Sequence, residues 1–252
     1  VLEKLIAHEA VHEINGWDDL RRRLAPDRRC FAFFHPALAG DPLIFVEVAL
    51  VEGLATAVQP LLLPDTDEAT QRARAARADT AIFYSIGLRG VSFGNLLIKQ
   101  VVEELRAELP QLKRFSTLSP VPGFRRWLKQ HLTDAGESVA LSPDDIENDN
   151  WVHDPAQSER LRPTLMRLCA QYLTRQPSPG SRIDPVARFH LGNGARLERI
   201  NWLGDIAPRA IGESVGIMVN YLYDHDRIGD NHEAFVRGTI VRSPEVDMLL
   251  QT

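Results

Sequence analysis

Two short stretches hold the side chains best suited to acid–base chemistry. In "FSTLSPVPGFRRWL", residues 115–128, Ser119 stands directly before Pro120, with Pro122 and Gly123 close behind. Prolines lack an N–H donor, fix their own φ and restrict the residue before them, so this segment cannot simply continue a sheet and can hold one hydroxyl still. The ordinary alternative is a serine in a turn ahead of a helix, with Gly123 and Phe124 at its entrance. In "FHLGNGARLERINWLGD", His190 follows an aromatic residue and precedes Gly-Asn-Gly, a turn expected to expose the end of a short strand. An imidazole there is either a polar rim residue or a general acid or base, because its unperturbed pKa lies near neutrality. A third run, "GIMVNYLYDHD", offers Asn220, Tyr221 and Tyr223, for which a place in the core is the default.

A different chemistry is suggested by "SIGLRGVSFGNLLIKQVV", a strand running through Arg89, Gly90, Val91, Ser92, Phe93, Gly94 and Asn95 into a strong helix. A glycine-bearing turn at a helix N-terminus exposes unpaired N–H groups beside the positive end of the dipole, which suits a pyrophosphate. Neither GxxxxGK[ST] nor GxGxxG fits the spacing. The turn resembles the arginine or glutamine, two residues, glycine, one residue, glycine turn that holds coenzyme A in GNAT-type acyltransferases. Arg89, Ser92 and Gly94 occupy its defined positions, so serine replaces the first glycine. A metal site is not expected: His225 and His232 lie near Asp224, Asp226, Asp230 and Glu233, but the spacing matches no zinc or calcium loop and reads as a solvated acidic turn.

The elements that must position these residues are set by periodicity. "NGWDDLRRRL" reads as a short helix capped by Asn15, after a helical stretch over residues 1–14. "RRCFAFFHP" and "PLIFVEVALV" read as a hairpin from Arg28 to Val51, and "DTAIFYSIGL" as a further strand. Between them, residues 64–78 are charged without an apolar face and predict a loop or a solvated helix. Ile98, Val101, Val102, Leu105 and Leu109 recur at helical spacing before Pro110. A strand at "KRFSTL" and a helix at "GFRRWLKQHL" come next. Residues 136–156 are acidic and turn-rich and look like an insertion, ahead of a long amphipathic helix at "SERLRPTLMRLCAQYLTRQ" and a loop at "PSPGSRIDP". This order predicts a mixed α/β sheet covered by helices.

Composition narrows the function classes. The chain has 252 residues, an apolar fraction of 44% and a formal charge of −5, enough for a real core and a poor match to nucleic acid. No apolar run approaches the ~18 residues of a membrane span, and the N-terminal stretch is too charged for a signal peptide. Cys30 and Cys169 share no ligand spacing and are expected as buried reduced thiols. A cytoplasmic, bacterial protein is expected, and a start at Val1 suggests a piece of a longer one.

Taken together, "FFHPALAGDPLIFVEVAL", the 81–128 run, "LRPTLMRLCAQYL", "DPVARFHLGNGARLERINWLGD" and "GIMVNYLYD" resemble the catalytic domain of malonyl-CoA decarboxylase over essentially the whole chain, with "LSPVPGF" and "FHLGNGA" the most specific segments. The resemblance implies an α/β (α+β) fold of GNAT type: a mixed, mostly antiparallel central sheet flanked by helices, spanning 15–252. It implies conversion of malonyl-CoA to acetyl-CoA and carbon dioxide without a metal or organic cofactor. It places the catalytic serine at Ser119, the catalytic histidine at His190, the active-site tyrosine at Tyr223 and the coenzyme A turn at Arg89–Asn95. Relatives usually carry a helical domain ahead of this one that serves oligomer assembly. Here residues 1–14 would be at most its last helix, and a homo-oligomer is implied if that domain is present. The ending "DMLLQT" lacks the Ser-Lys-Leu type that addresses some relatives to peroxisomes.

The implied chemistry asks for what these residues offer. Loss of carbon dioxide leaves an electron pair that the thioester carbonyl takes up as an enolate, which needs a hydrogen-bond donor and then a proton at Cα. Ser119, together with Tyr223, would hold the malonyl carboxylate, and His190 would stabilise and protonate the enolate; the two roles are exchangeable at this level. Hydrolysis is disfavoured, since there is no GxSxG and Pro120 removes the N–H an elbow would use. An acyltransferase passing the acyl group to a carrier thiol and a non-catalytic acyl-CoA sensor are the competing readings.

Overall fold

The structure, a computed structural model, describes residues 12, 14, 16–34, 42–63, 67–88, 94–135, 141–175 and 183–251. The chain divides into two compact units, one comprising residues up to Leu118 with Leu222–Asp224, the other Ser119–Tyr221 with His225–Thr252.

In the first unit, helix α1 (Trp17–Arg23) starts from Gly16, whose φ of 106° favours glycine. The expected cap, Asn15, lies outside the described residues, as does nearly all of 1–14. The hairpin forms as its alternating runs predict: β1 (Arg28–Phe34) pairs antiparallel with β2 (Pro42–Val51), Arg28 opposite Ala49. After the short α2 (Gln59–Leu62), α3 (Glu68–Arg77) buries no residue and is held at its start by Asp67, which accepts from the Thr70 N–H at 2.8 Å. With no apolar face to bury, it is the solvated helix of the two alternatives. β3 (Thr80–Leu88) runs antiparallel to β2, and α4 (Gly94–Glu108) carries the chain over to β4 (Arg114–Thr117), parallel to β3. A parallel pair requires such a crossover. Val46, Val48, Ala49 and Leu50 on β2 are all buried, and so is Glu47 between them, whose carboxylate pairs with Arg23, so the strand is covered on both faces.

This unit buries charge in two places, the Arg23–Glu47 pair and a cluster around Asp27. Arg22 donates to both carboxylate oxygens of Asp27, at 2.7 and 3.2 Å, while Arg28 lies 3.0 Å and Arg74 3.6 Å from Oδ2. Burial pushes the Asp27 carboxyl up, but the Arg22 hydrogen bond and the Arg28, Arg22 and Arg74 charges outweigh it and leave it below its ordinary 3.8.

The second unit opens on β5 (Ser119–Pro120), followed by α5 (Phe124–Ala135), α6 (Pro155–Thr174), α7 (Pro185–Gly192), β6 (Arg196–Asn201), α8 (Pro208–Ser214), β7 (Met218–Tyr223), α9 (Ile228–Val236) and α10 (Pro244–Gln251). β5 is antiparallel to β7, Ser119 opposite Val219, and β6 also pairs with β7. The last two residues of β7 belong to the first unit, where Tyr223 stands opposite Phe115 of β4, again antiparallel. The sheet is thus mixed and mostly antiparallel with flanking helices, as expected.

Phe124, Leu128 and Leu132 form the buried i, i+4 stripe of α5. Within the expected insertion, two 3-10 turns at Pro143–Ile146 and Asp149–His153 bury Ile146 and Trp151. Arg125 pins this stretch, donating to the Ile146 carbonyl at 2.7 Å and the Ile211 carbonyl at 3.0 Å. Cys169 on α6 is fully buried, whereas Cys30, packed against Ile14, Leu20 and Phe45, is only half-buried because β1 stands at the end of the strand order. Among the described residues no helix is long and apolar enough to cross a membrane.

Candidate active site

Ser119 is held by the four residues on its C-terminal side. β5 ends after two residues because Pro120 and Pro122 cannot donate to a ladder. The chain then folds into α5, the Phe124 N–H donating to the Val121 carbonyl at 3.0 Å and the Gly123 N–H to Asp184 Oδ2 at 3.1 Å. Glycine at 123 keeps this approach open, since a Cβ there would lie 2.3 Å from the Tyr172 hydroxyl oxygen. Ser119 itself sits on a paired strand and is buried.

His190 is placed by a helix, not by the strand end expected from Gly-Asn-Gly. Asp184 caps α7, its Oδ1 accepting from the N–H groups of Val186 at 3.0 Å and Ala187 at 3.2 Å, and Pro185 takes the first position, where no N–H is needed. At the other end the His190 carbonyl accepts from the N–H groups of Asn193 and Ala195, both at 3.1 Å. Gly194 comes next at φ +82°, where a Cβ would also strike the Ile228 carbonyl oxygen. Gly-Asn-Gly is therefore the stop of a helix, a role its composition allows equally well. Ala187, His190 and Leu191 are its buried face, at i, i+3 and i+4.

The two segments meet. Ser119 Oγ and His190 Nε2 lie 3.2 Å apart, with the residues 6% and 3% exposed. The Tyr221 ring stacks on the imidazole at 4.9 Å between centroids and 22° between planes, and Phe189 meets it edge-on at 5.0 Å. Burial pushes the His190 pKa down to about 3, so the imidazole is neutral at physiological pH. A neutral ring has one N–H and one lone pair, so with Ser119 it forms a unit that can present a hydroxyl proton to an oxygen and exchange a proton with a bound group.

The remaining candidates have places of their own. Tyr223 lies in the first unit, buried, with its hydroxyl pKa raised by burial. Arg89, Gly90, Val91, Ser92 and Phe93 lie outside the described residues, and Gly94 and Asn95 begin α4. Asp230, His232 and Glu233 sit exposed on α9, where the sequence predicts a turn; the His232 Nδ1 lies 2.7 Å from the Gly192 carbonyl oxygen. No three His, Cys, Asp or Glu side chains among the described residues converge to hold a metal ion. Two contributors are not evident from the sequence. Tyr221 looks like an ordinary core residue there, and Asp184 like part of a loop, although Asp-Pro ahead of a 3.6-residue period is a helix-start signal.

Comparison with known proteins identifies the family. The family described as malonyl-CoA decarboxylase C-terminal domain matches residues 1–252. The mitochondrial malonyl-CoA decarboxylase of Anser anser anser is 39% identical over 97% of this chain and 54% of its own length, so the chain spans about half of that relative. The crystal structure of malonyl-CoA decarboxylase from Agrobacterium vitis superposes with a TM-score of 0.90 at 49% identity, covering 99% of this chain and 64% of that one. The GNAT-like decarboxylase GphF, solved with isobutyryl-CoA, has a TM-score of 0.52 at 20% identity over 88% of this chain and 93% of its own, a likeness of fold.

Proposed function

The chain belongs to the malonyl-CoA decarboxylase family, as its C-terminal domain, and on that premise we propose that it removes carbon dioxide from malonyl-CoA to leave acetyl-CoA. The observation that carries this reading is the buried Ser119–His190 pair, 3.2 Å apart. The substrate needs no external electron sink. When the bond between Cα and the carboxylate breaks, its electron pair moves onto Cα and is taken up by the thioester carbonyl as an enolate, and carbon dioxide leaves. One proton then closes the reaction at Cα. A metal or organic cofactor has no step to perform, and none is assigned.

Ser119 donates its hydroxyl proton to the malonyl carboxylate and holds it out of the thioester plane, where the breaking bond overlaps the carbonyl π system. His190 supplies the proton. The bound carboxylate brings negative charge beside a ring that burial alone keeps neutral, and an opposite charge favours the imidazolium, so substrate binding draws a proton from solution onto His190. After carbon dioxide departs, the charge sits on the enolate; His190 stabilises that oxygen and passes the proton to Cα. A preorganised oxyanion donor contributes about 3–4 kcal/mol and a positioned acid roughly 10²- to 10⁴-fold. The coenzyme A pyrophosphate is assigned to the turn at Arg89–Asn95 on its sequence.

The test is incubation with malonyl-CoA labelled in its free carboxyl group, beside Ser119→Ala and His190→Asn. Labelled carbon dioxide with stoichiometric acetyl-CoA, strongly reduced in both variants, is the expected result. Wild-type rates in both variants would remove the pair from the chemistry, and an acyl group moved to an added carrier thiol would make the protein a transferase.

A further inference from the structure

Asp184 carries a carboxylate tied to the segments that bear both Ser119 and His190. Its Oδ1 accepts from the Val186 and Ala187 N–H groups at 3.0 and 3.2 Å, the first turn of the helix that ends at His190. Its Oδ2 accepts from the Gly123 N–H at 3.1 Å, four residues beyond Ser119, and from the Tyr172 hydroxyl at 3.3 Å. The residue is 2% exposed.

We propose that Asp184 is a positioning residue that sets the separation of Ser119 from His190, by clamping the backbone after the serine to the start of the histidine's helix. The inference rests on the reading of Ser119 and His190 as the reacting pair. Its physical basis is what the two segments otherwise lack. Pro120 and Pro122 have no N–H with which to anchor the serine's loop, so the Gly123 N–H is the first donor after Val121 able to do it. α7 is only eight residues long, and its first turn needs its capping acceptor to stay formed. Only a carboxylate serves both ends, because it accepts at both oxygens, each with two lone pairs, whereas an amide turns two N–H donors toward one of them. Hydrogen bonds to an ionised acceptor are also roughly twice as strong as neutral ones.

Tyr172 and Gly123 complete the arrangement. The hydroxyl of Tyr172 fills the second site on Oδ2 and stands where a side chain on residue 123 would go, so the loop approaches closely enough for its N–H to reach Asp184. Burial raises the Asp184 pKa, and its four hydrogen bonds lower it without cancelling that rise. The carboxylate form is thus less favoured here than in water.

The test uses Asp184→Asn and Asp184→Ser, with Tyr172→Phe as control. Serine is a good helix cap but too short to reach the Gly123 N–H, so it isolates the clamp from the cap if the asparagine variant folds poorly. Crystal structures read the Ser119 Oγ–His190 Nε2 distance directly, and malonyl-CoA turnover reads its consequence. In both Asp184 variants the pair is expected to separate beyond hydrogen-bond reach. Since a misplacement of about 1 Å can cost about 10²-fold, kcat should fall by that order with KM unchanged. Tyr172→Phe removes the donor that belongs to neither segment and should leave kcat near wild type. An unchanged 3.2 Å separation in Asp184→Ser overturns the clamp whether or not turnover is seen. Equal losses of kcat in Asp184→Ser and Tyr172→Phe would also overturn it, as general loosening. A widened pair in Asp184→Ser beside fully active Ser119→Ala and His190→Asn would instead retain the clamp as geometry and sink the catalytic reading.

Discussion

The Tyr221 ring lies nearly parallel to the His190 imidazole, 22° between planes and 4.9 Å between centroids, on a strand whose Val219 stands opposite Ser119. The side chains of 219 and 221 share a face of β7 because strand residues alternate. The same strand therefore aligns the serine and backs the histidine. An aromatic pair of this kind is worth about 0.5–1.5 kcal/mol beyond its buried area, so Tyr221→Leu should lower kcat about 2- to 10-fold further than Tyr221→Phe, which keeps the ring. Steady-state decarboxylation assays of the two variants check this; equal rates would deny the stack a role.

His190 should carry a visible pH signature. Its pKa is about 3 in the folded protein against 6.5 for an exposed imidazole. Between those values the unfolded chain binds a proton that the folded one refuses, so this group's stabilisation is fully present above 6.5 and is lost as pH falls toward 3. Urea unfolding of wild type and His190→Gln across that window should give a shallower pH dependence in the variant. Parallel curves would mean that the ring is not buried neutral.

The same logic gives the opposite partner chemistry at Asp27. Its folded pKa lies below 3.8, so its contribution is fully present above that value and disappears as pH falls through the lower folded value. Asp27→Ala leaves the Arg22 and Arg28 guanidinium groups buried without their counter-charge, and breaking such a pair costs about 3–5 kcal/mol. The denaturation midpoint at neutral pH should drop accordingly, and an unchanged midpoint would show that the three arginines gain nothing from the carboxylate.

Gly123→Ala offers a test of close packing near the serine. The added Cβ would meet the Tyr172 hydroxyl oxygen at 2.3 Å, and overpacking of this kind costs about 1–3 kcal/mol. In a Tyr172→Phe background the clashing oxygen is gone, so the double variant should recover part of the loss. A double-mutant cycle with no coupling between the two positions would contradict the contact.

Much of this protein is legible along the chain, because the information is local. The apolar run of β2 and the helical period of Ile98, Val101, Val102 and Leu105 each specify an element by periodicity alone, whereas the charged residues 68–77, with no apolar face, leave loop and solvated helix open until the structure decides. Ser119 can be singled out because two prolines and a glycine announce a fixed loop. The sequence is also what carries the family resemblance. What it leaves open is set by contacts between residues far apart. Gly-Asn-Gly after His190 suits a strand turn and a helix stop alike, and the choice falls to the helix because Asp184 caps its start and Ala187, His190 and Leu191 find one buried face. The pairing of Ser119 with His190, 71 positions apart, the neutral state of that imidazole and the choice of Tyr221 as its support depend on burial and side-chain direction. No local pattern encodes these, since they exist only once distant segments share one desolvated space.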